Sequence, residues 1–337
     1  MPPNALNVLD FEKPIAELDE QIARIKQMTL ERGEDRSEDI AALEKDRDRL
    51  LEEIFANLSA WDQVLLARHP KRPYTLDFVR LIFDDYTELH GDRLFADDHA
   101  MIGGIARLDG RHVMFVGQQK GRDLKDRQYR NFGSAKPEGY RKALRLMRLA
   151  EKFKKPVICL VDTPAADCSV GAEERGISGS IARNLAEMST LETPIVAVVL
   201  GEGGSGGALG IAVADRVLML EHAIYSVIPP EGCAAILWRD PTKHKEMADA
   251  LRITSEHALK LGVIDGIVPE PLGGAHRNVE LAAKTVKAAI LKHLGRLEKL
   301  TVPKLLANRY KKYRAMGVFQ EVAEEAENVA SAEEVVA

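Results

Sequence analysis

The stretch that decides the fold is PIVAVVLGEGGSGGALGIAVAD, residues 194–215. Residues 195–200 form a continuous apolar run rich in β-branched side chains, and this pattern predicts a parallel strand buried on both faces. Six glycines then fall within residues 201–210. Because glycine tolerates positive φ and lets other atoms approach the main chain closely, we predict a tight turn over residues 201–207. A buried helix is predicted to begin in GALGIAVA.

A glycine-rich turn between a strand and a helix can hold an anion or a developing oxyanion. The free N–H groups at a helix start favour negative charge, and Gly206 and Gly207 are the candidates to supply them. A phosphate-binding P-loop is excluded, because it needs Lys and then Ser or Thr after Gly206, where this chain has Gly207 and Ala208. Close packing of a helix on a sheet explains one or two of the glycines, but not five.

A dinucleotide-binding interpretation stays open on the motif alone. Gly201, Gly203 and Gly206 fit the fingerprint GxGxxG, and Glu221 follows about twenty residues later, where such sites carry an acidic residue. The surrounding pattern lacks a clear two-half layout for a dinucleotide, so this interpretation ranks below the oxyanion site.

A serine hydrolase is a further alternative from another class of enzyme. Gly203, Ser205 and Gly207 fit the pattern GxSxG between a predicted strand and a predicted helix, as a nucleophile elbow requires. That chemistry also needs an acid and a histidine further along the chain. Asp265 with His276 matches this order only loosely.

Composition is that of an ordinary globular protein. The chain has 337 residues, 45% of them apolar, and no apolar run reaches the roughly eighteen residues that a membrane span needs. The N-terminus MPPNALNVLDFEKP lacks the basic and apolar segments of a signal peptide, so we expect a cytoplasmic protein without membrane contact. The net charge of −5 gives no reason to expect nucleic-acid binding.

Metal sites and disulfides are not expected from the cysteines and histidines. Cys159, Cys168 and Cys233 show no paired CxxC spacing, and the nine histidines show no HxxxH spacing. The pattern therefore argues against a zinc site and against a disulfide framework.

Three segments are predicted along the chain. Residues 1–75 form an N-terminal amphipathic segment, in which apolar residues at helical spacing on either side of LERGEDRSED predict two antiparallel helices. Their narrow apolar stripes need cover from the main domain or from a second chain. Residues 76–300 form the main domain. Residues 301–337 form a C-terminal helix and a mobile acidic tail, since residues 319–337 contain six glutamates and no Lys or Arg.

Strand and helix patterns alternate through the main domain. Strands are predicted over residues 112–119, 156–162, 194–201 and 216–220, and helices over residues 137–153 and 171–190. Further helices are predicted in VELAAKTVKAAILKHLGRLEKL and after the rigid turn in YSVIPPEGCAAILW. This alternation predicts an α/β fold with a largely parallel sheet.

Two loops join the glycine turn as candidate parts of a site. Residues 161–176, VDTPAADCSVGAEERG, leave a predicted strand on the edge where sites of α/β proteins usually lie. Residues 117–133, GQQKGRDLKDRQYRNFG, concentrate positive charge. We predict that Lys120, Arg122 and Arg130 contact a phosphate-bearing cofactor such as coenzyme A or an acidic carrier. A solvated surface loop is the alternative.

Several long motifs resemble the carboxyltransferase α subunit of bacterial acetyl-CoA carboxylase. They are RLDGRHVMFVGQQKGR, NFGSAKPEGYRKALRLM, VGAEERG, GEGGSGGAL, YSVIPPEGCAAILW and EPLGGAHRN, and the likeness spans about residues 8–315. The resemblance implies the ClpP/crotonase-like ββα superhelix, an α/β fold, with an N-terminal helical hairpin. It also implies transfer of a carboxyl group from carboxybiotin to acetyl-CoA, which yields malonyl-CoA for fatty acid synthesis.

The resemblance also implies partners and cofactors. The expected partners are a carboxyltransferase β subunit in an α2β2 assembly, the biotin carboxyl carrier protein, biotin carboxylase and acetyl-CoA. No covalently bound cofactor is expected, because the biotin belongs to the carrier. No zinc is expected in this chain either, because the zinc ribbon of the family belongs to the β subunit.

Carried over residue by residue, the resemblance assigns the amides of Gly206 and Gly207 to the ureido group of biotin. Neither step of such a transfer needs a protein nucleophile, but both need positioned N–H donors. The surrounding residues are expected to line the biotin or substrate pocket: Gly203, Gly204, Ser205, Asp162, Thr163, Pro164 and Ala165.

One segment departs from the family pattern. Where the family continues DTP with Gly, Ala, Tyr, Pro and Gly, this chain has AADCS at residues 165–169. Loss of a glycine matters where φ is positive, and the carboxylate of Asp167 can repel a carboxylated ligand. Two hypotheses follow: an ordinary subunit with a tolerant loop, which the intact glycine motif favours, or a paralogous or non-catalytic assembly subunit.

Overall fold

The described residues, 8–33 and 35–318 of a computed structural model, form an eight-stranded mixed sheet at the centre of the structure. The strand order is β1-β2-β3-β4-β5-β6-β8, and β7 pairs with β5. The first three strands are antiparallel, and all later pairings are parallel. The strands are β1 (Asp85–Glu88), β2 (Met101–Leu108), β3 (Arg111–Gln118), β4 (Val157–Thr163), β5 (Ile195–Gly204), β6 (Arg216–Leu220), β7 (Ile224–Ser226) and β8 (Gly266–Val268).

Fourteen α-helices surround the sheet in the described part of the chain. Helix α6 packs on β2, β3 and α8, whereas α13 packs on α4, β5 and β8. The helices are α1 (Lys13–Arg32), α2 (Ser37–Phe55), α3 (Ala60–Ala67), α4 (Thr75–Ile82), α5 (Leu124–Tyr129), α6 (Pro137–Lys152), α7 (Val170–Glu174), α8 (Ile177–Thr190), α9 (Ser205–Leu209), α10 (Pro230–Trp238), α11 (His244–Leu251), α12 (Ser255–Lys260), α13 (Val279–Leu297) and α14 (Val302–Arg314).

The predicted strands and the α/β class are confirmed. β4 and β5 carry the continuous apolar runs, and every residue of β4 is buried, as expected for parallel strands covered on both faces. The sheet is less parallel than the prediction, because β1, β2 and β3 form an antiparallel meander ahead of it. The prediction of one continuous helix over residues 171–190 is wrong, because the structure has two helices there. Gly176 adopts a φ of 77° and separates α7 from α8.

The predicted N-terminal hairpin is confirmed as α1 and α2. Ion pairs join Lys26 to Glu44 and Asp19 to Arg47, so the two helices run antiparallel. The stripe of α1 is covered by the chain itself, since Ile15 and Ile22 are buried. The predicted acidic tail, residues 319–337, lies outside the described residues, and the division into three segments stays a prediction.

A buried arginine attaches the C-terminal helix to the sheet. Arg309 of α14 makes a bidentate pair with Asp215, with both distances 2.8 Å. It also donates to three carbonyl oxygens, those of Met188, Leu191 and Thr193. All five N–H donors of the guanidinium group are therefore satisfied by groups near the N-terminal end of β5.

Replacing Arg309 with methionine tests this attachment. Removing one partner of a buried pair leaves the other charge unpaired, so Arg309→Met is expected to lower the free energy of unfolding by about 3–5 kcal/mol. Arg314→Met on the exposed face of the same helix is the matched control, with an expected change within about 0.5 kcal/mol. Urea denaturation of the full chain measures both, and equal effects would contradict the assignment.

Candidate active site

The glycine-rich segment continues its strand further than predicted. β5 extends to Gly204, and the helix that follows, α9, has only five residues. Gly203 and Gly204 are paired with β7, and Gly203 also pairs with Thr163 of β4. The turn predicted over residues 201–207 is therefore wrong in its first half, and the predicted buried helix is reduced to one turn. Such a short helix adds little dipole, so any anion here must be held by direct hydrogen bonds.

Close backbone approach, rather than turn formation, explains the glycines of the strand. A Cβ on Gly204 would overlap the carbonyl oxygen of Pro164, and one on Gly203 would lie 2.7 Å from Cδ2 of Tyr225. The left-handed conformation falls on Ser205, whose φ is 52°. This conformation is uncommon for a residue other than glycine. It turns the chain from β5 into α9.

Gly206 and Gly207 present N–H groups that no described hydrogen bond uses. Their carbonyl groups, by contrast, are occupied. The oxygen of Gly206 accepts from the N–H of Gly210 at 3.0 Å, and the oxygen of Gly207 accepts from Nε2 of Gln118 at 2.9 Å. Because the C=O and N–H of one trans peptide point in opposite directions, the N–H of Gly207 points away from the helix. This is the arrangement that an oxyanion site requires.

The loop that leaves β4 lies directly against this turn, as predicted. A Cβ on Gly207 would lie 2.5 Å from the backbone nitrogen of Ala166. Thr163 holds the loop with its single hydroxyl donor, which the carbonyl oxygens of Gly133 and Ala165 share at 2.8 and 2.7 Å from Oγ1. The structure therefore brings residues 162–166 and 203–207 together.

The departure at residues 165–169 has a local structural role. The carboxylate of Asp167 accepts from the N–H of Ser169 at 3.0 Å and from its hydroxyl at 3.1 Å. Ser169 in turn caps α7 by accepting from the N–H of Ala172. The Cys168 side chain is exposed. Asp167 is thus engaged by its own loop, at the start of a helix.

A buried network of ion pairs joins the C-terminal ends of β3, β4 and β5 beside the glycine turn. The Lys120 ammonium lies 2.8 Å from Asp162 Oδ1 and 2.7 Å from Glu202 Oε2. Burial alone would lower the pKa of Lys120, but the charges of Asp162 and Glu202 raise it above its ordinary value. Burial likewise works to raise the pKa of Glu202, yet Lys120 and Arg68 hold it below its ordinary value. Burial raises the pKa of Asp162 above its ordinary value, although the charge of Lys120 works against this rise. Lys120 and Glu202 therefore stay charged near neutral pH.

Arg68 extends this network and was missed by the sequence analysis. Its Nε donates to Glu202 at 2.7 Å and its Nη1 to Glu231 at 2.5 Å. Arg68 and Glu202 line a narrow cleft together with Pro164, Gly204 and Pro229, next to the turn. Nothing in the sequence around Arg68 separates it from the exposed arginines, because its partners lie more than a hundred residues away.

The predicted basic loop is tied to the protein itself. Arg122 lies with its guanidinium 4.0 Å from the centre of the Tyr74 ring and pairs with Asp77. Arg130 pairs with Asp126 at 3.0 Å and donates to the carbonyl oxygen of His99. Lys120 belongs to the buried network. The prediction that these three residues contact coenzyme A or a carrier stays a prediction, without geometric support.

The serine hydrolase alternative finds no assembled triad among the described residues. Asp265 accepts from Arg216, from Lys312 and from the N–H of Val217. His276 bonds through Nε2 to Glu12, 2.9 Å away. Neither residue is hydrogen-bonded to Ser205.

The structure does not support the dinucleotide-binding alternative, because the required glycine turn does not form at Gly201 and Gly203. Gly201 and Gly203 lie inside β5, whereas the fingerprint needs them in the turn after a strand. The Glu221 carboxylate is engaged as well, since it accepts from the N–H of Glu270 at 3.0 Å.

One cluster of potential metal donors joins the N-terminal segment to the main domain. Single donor atoms of Glu12, His69 and His276 lie within 4.8 Å of one another, and all three side chains are nearly buried. Nδ1 of His69 accepts from the N–H of Lys71 at 3.1 Å. The neutral ring then carries its proton on Nε2, so that nitrogen has no lone pair for a metal. The cluster fits a hydrogen-bonded contact better than an ion site.

Similar folds occur in the solved structures of a carboxylase subunit and of a malonate decarboxylase. The β subunit of geranyl-CoA carboxylase from P. aeruginosa matches with a TM-score of 0.51 and 14% identity, over 79% of this chain and 47% of that chain. A Pseudomonas malonate decarboxylase hetero-tetramer in complex with coenzyme A matches with a TM-score of 0.51 and 18% identity, over 64% of this chain and 88% of that chain. These likenesses define the class by its fold, which is the crotonase-like α/β fold.

Sequence comparison narrows the class to one family. The model of the family described as acetyl co-enzyme A carboxylase carboxyltransferase-like matches residues 8–317. Two relatives are named acetyl-coenzyme A carboxylase carboxyl transferase subunit alpha. The protein from Geobacter metallireducens is 56% identical over 93% of this chain and 98% of its own, and that from Methylococcus capsulatus is 54% identical over 94% and 99%. The chain belongs to the carboxyltransferase α-subunit family of acetyl-CoA carboxylase.

The family consists of transferase subunits of a multi-subunit carboxylase. Among the residues that the structure describes, no helix has the length and apolar character needed to cross a membrane.

The contact between Glu12 and His276 predicts a dependence of stability on pH. Burial works to raise the pKa of Glu12, but the hydrogen bond and charge of His276 and the N–H of Leu9 outweigh it and lower the pKa below 4.5. A lowered carboxyl pKa stabilises the fold above the unfolded value, and this contribution is lost as the pH falls through the folded value.

Glu12→Gln should therefore destabilise the chain at about pH 7.5, and the difference from wild type should shrink at about pH 4. Urea denaturation of the full chain at both pH values measures this. Glu17→Gln on the exposed face of α1 is the matched control. A difference that does not change with pH would contradict the role of the charge.

Proposed function

We propose that this chain supplies the biotin half of a carboxyltransferase site, in which the carboxyl group of carboxybiotin passes to acetyl-CoA and forms malonyl-CoA. The observation that carries the proposal is the pair of unused N–H groups at Gly206 and Gly207, beside the loop from β4. Membership of the α-subunit family supports the choice of substrates.

The proposed chemistry asks for hydrogen-bond donors rather than for a nucleophile. Carboxybiotin supplies the activated carboxyl group, and its loss leaves negative charge on the ureido oxygen. The N–H groups of Gly206 and Gly207 donate to that oxygen. Backbone donors held in a site with little water are worth about 3 kcal/mol each against the barrier. The ureido nitrogen then takes the α-proton of acetyl-CoA, and the carbanion formed attacks the released carbon dioxide.

The remaining parts of the reaction are assigned to partners. We propose that a β subunit binds the acetyl thioester and completes an α2β2 assembly with this chain. The biotin carboxyl carrier protein delivers the carboxybiotin that biotin carboxylase produces. No cofactor is bound covalently to this chain, and the zinc belongs to the β subunit. These assignments rest on the family.

The glycine amides are tested by two substitutions at one position. Gly206→Ala keeps the N–H, and its Cβ would lie 3.7 Å from Ile181, so it should keep nearly full activity. Gly206→Pro removes the N–H and is expected to lower kcat by about 100- to 1000-fold. The assay is malonyl-CoA-dependent carboxylation of biocytin by this chain mixed with the β subunit of its own genome.

Gel filtration supplies the control, because both variants must still form the complex with the β subunit. Activity of Gly206→Pro equal to that of Gly206→Ala would remove the amide from the mechanism. A stable wild-type complex without turnover would point to the non-catalytic assembly subunit instead.

The unusual loop is tested by restoring the family sequence. Replacing residues 165–169 with Gly-Ala-Tyr-Pro-Gly is expected to change turnover by less than about twofold, because Asp167 is engaged by Ser169 within its own loop and glycine also starts a helix well. The same biocytin assay measures it, with Asp167→Asn as the single-site control. A large gain in turnover would mean that the natural loop impairs the subunit.

A further inference from the structure

The carbonyl group of Gly207 is held from inside the protein by two side chains. Nε2 of Gln118 donates to it at 2.9 Å, and the hydroxyl of Tyr140 donates to it at 3.1 Å. Both side chains are fully buried. They come from different elements, the end of β3 and the first turn of α6. A single backbone oxygen thus receives two buried hydrogen bonds from residues 67 and 89 positions away in the chain.

These donors replace a hydrogen bond that the short helix cannot make. In a longer helix the Gly207 oxygen would accept from the N–H of Ile211. Here α9 ends at Leu209, and the N–H of Ile211 bonds to the oxygen of Ala208 at 3.2 Å. Without Gln118 and Tyr140 the Gly207 oxygen would be buried and unpaired, which is costly.

Gln118 also ties the turn to the loop that covers it. Its Oε1 accepts from the N–H of Asp162 at 3.2 Å, while its Nε2 donates to Gly207. The two ends of one amide therefore set the distance between the end of β4 and the start of α9. Thr75 donates from its hydroxyl to the Gln118 carbonyl oxygen and keeps the strand end in place.

Tyr140 is fitted to the same turn by shape. A Cβ on Gly210 would lie 2.6 Å from its ring carbons, so the ring lies flat against the backbone. Asn184 donates to the carbonyl oxygens of Tyr140 and Gly210, at 3.0 and 2.9 Å. Burial raises the pKa of the Tyr140 hydroxyl, so it remains a donor at neutral pH.

The two buried hydrogen bonds restrict the direction in which the free N–H groups of the glycine pair can point. Two adjacent glycines have the widest choice of φ and ψ of any dipeptide, so they do not hold their own amides in one direction. The held carbonyl belongs to the peptide between Gly207 and Ala208, so the two side chains fix ψ of Gly207 and the position of its Cα, to which the Gly207 N–H is also attached. The bond from Gly210 fixes the preceding peptide, which carries the Gly207 N–H. Preorganised donors stabilise charge without reorganisation during the reaction.

We propose that Gln118 and Tyr140 are positioning residues, which aim the amides of Gly206 and Gly207 by holding the Gly207 carbonyl from behind. Neither residue touches the substrate. This inference rests on the proposed function for its effect on turnover, but its effect on the backbone of the turn does not depend on that function.

The test compares Tyr140→Phe and Gln118→Met with a matched control. Tyr140→Phe removes only the hydroxyl and keeps the ring against Gly210. Tyr313→Phe is the control, because it removes a hydroxyl that also bonds to buried carbonyl oxygens, those of Ala212 and Ala214, which lie beyond the end of α9 and outside the glycine turn. All variants are assayed as complexes with the β subunit, using malonyl-CoA and biocytin.

Loss of one such bond is expected to lower kcat by about threefold to tenfold for Tyr140→Phe and by more for Gln118→Met. The KM values for malonyl-CoA and biocytin should not change, because the amides act on charge that develops during the reaction. Tyr313→Phe should leave kcat unchanged even where it lowers stability. The double variant should lose less than the product of the single losses, because both residues hold one oxygen.

A second measurement keeps the inference separate from the proposed function. Hydrogen exchange of peptides covering residues 201–210 should be faster in Tyr140→Phe and Gln118→Met than in wild type and in Tyr313→Phe. Unchanged exchange in both variants would overturn the inference, whatever the activity. If wild type is active and Gly206→Pro is not, unchanged kcat in Tyr140→Phe and Gln118→Met would overturn it while the proposed function stands. Wild-type complexes without turnover would remove the proposed function, and hydrogen exchange would then decide the inference alone.

Discussion

The contact between the end of β5 and the loop that leaves β4 is the constraint on which the rest of the site depends. The backbones at Gly204 and Gly207 lie so close to Pro164 and Ala166 that no side chain fits between them. The register of β4 on β5 shifts between Val161 and Thr163, where this approach begins. Close approach brings two stretches of main chain together, so the functional groups available at the site are backbone N–H and C=O groups. A site built in this way depends on backbone geometry more than on side-chain identity.

Main chain at such a junction needs rigid support, and the structure supplies it with buried polar groups. Lys120, Asp162 and Glu202 form an ion network at the ends of β3, β4 and β5, and Arg68 connects the network to Glu231 of α10. Charges buried in this way are tolerated only when each has a partner, because an isolated one would be very costly. The network therefore makes the ends of these strands interdependent. It also explains why Lys120, although it lies in a loop rich in positive residues, is not free to bind a ligand.

Buried polar contacts also attach the N-terminal and C-terminal helices, α1 and α14, to the main domain, further from the glycine turn. Arg309 holds α14 to the edge of the sheet where β5 begins, and Glu12 holds the start of α1 to the segment after β8 through His276. Arg72, paired with Glu270 and bonded to the carbonyl oxygen of Leu200, links that same segment to β5. Each attachment is a polar contact between residues far apart in the chain, buried by the apolar surface around it. β5 is thus anchored near both of its ends.

The sequence by itself determined the elements and their class. Apolar runs predicted β4, β5 and β6, and helical spacing predicted α1, α2 and α6. Long motifs indicated the family, and that resemblance assigned Gly206 and Gly207 as the candidate amide donors. The elements follow from local periodicity and local composition, whereas the family and the candidate amides follow from the resemblance of the motifs. Only the tertiary structure decided the extension of β5 to Gly204 and the left-handed turn at Ser205. It also decided the pairing of Lys120, Arg122 and Arg130 with acidic side chains of the protein itself. It also revealed Gln118, Tyr140 and Arg68, whose side-chain partners lie between 44 and 163 residues away in the chain. The physical reason is that periodicity reports which face of an element is buried, whereas the partner of a buried polar group is set by how distant elements meet.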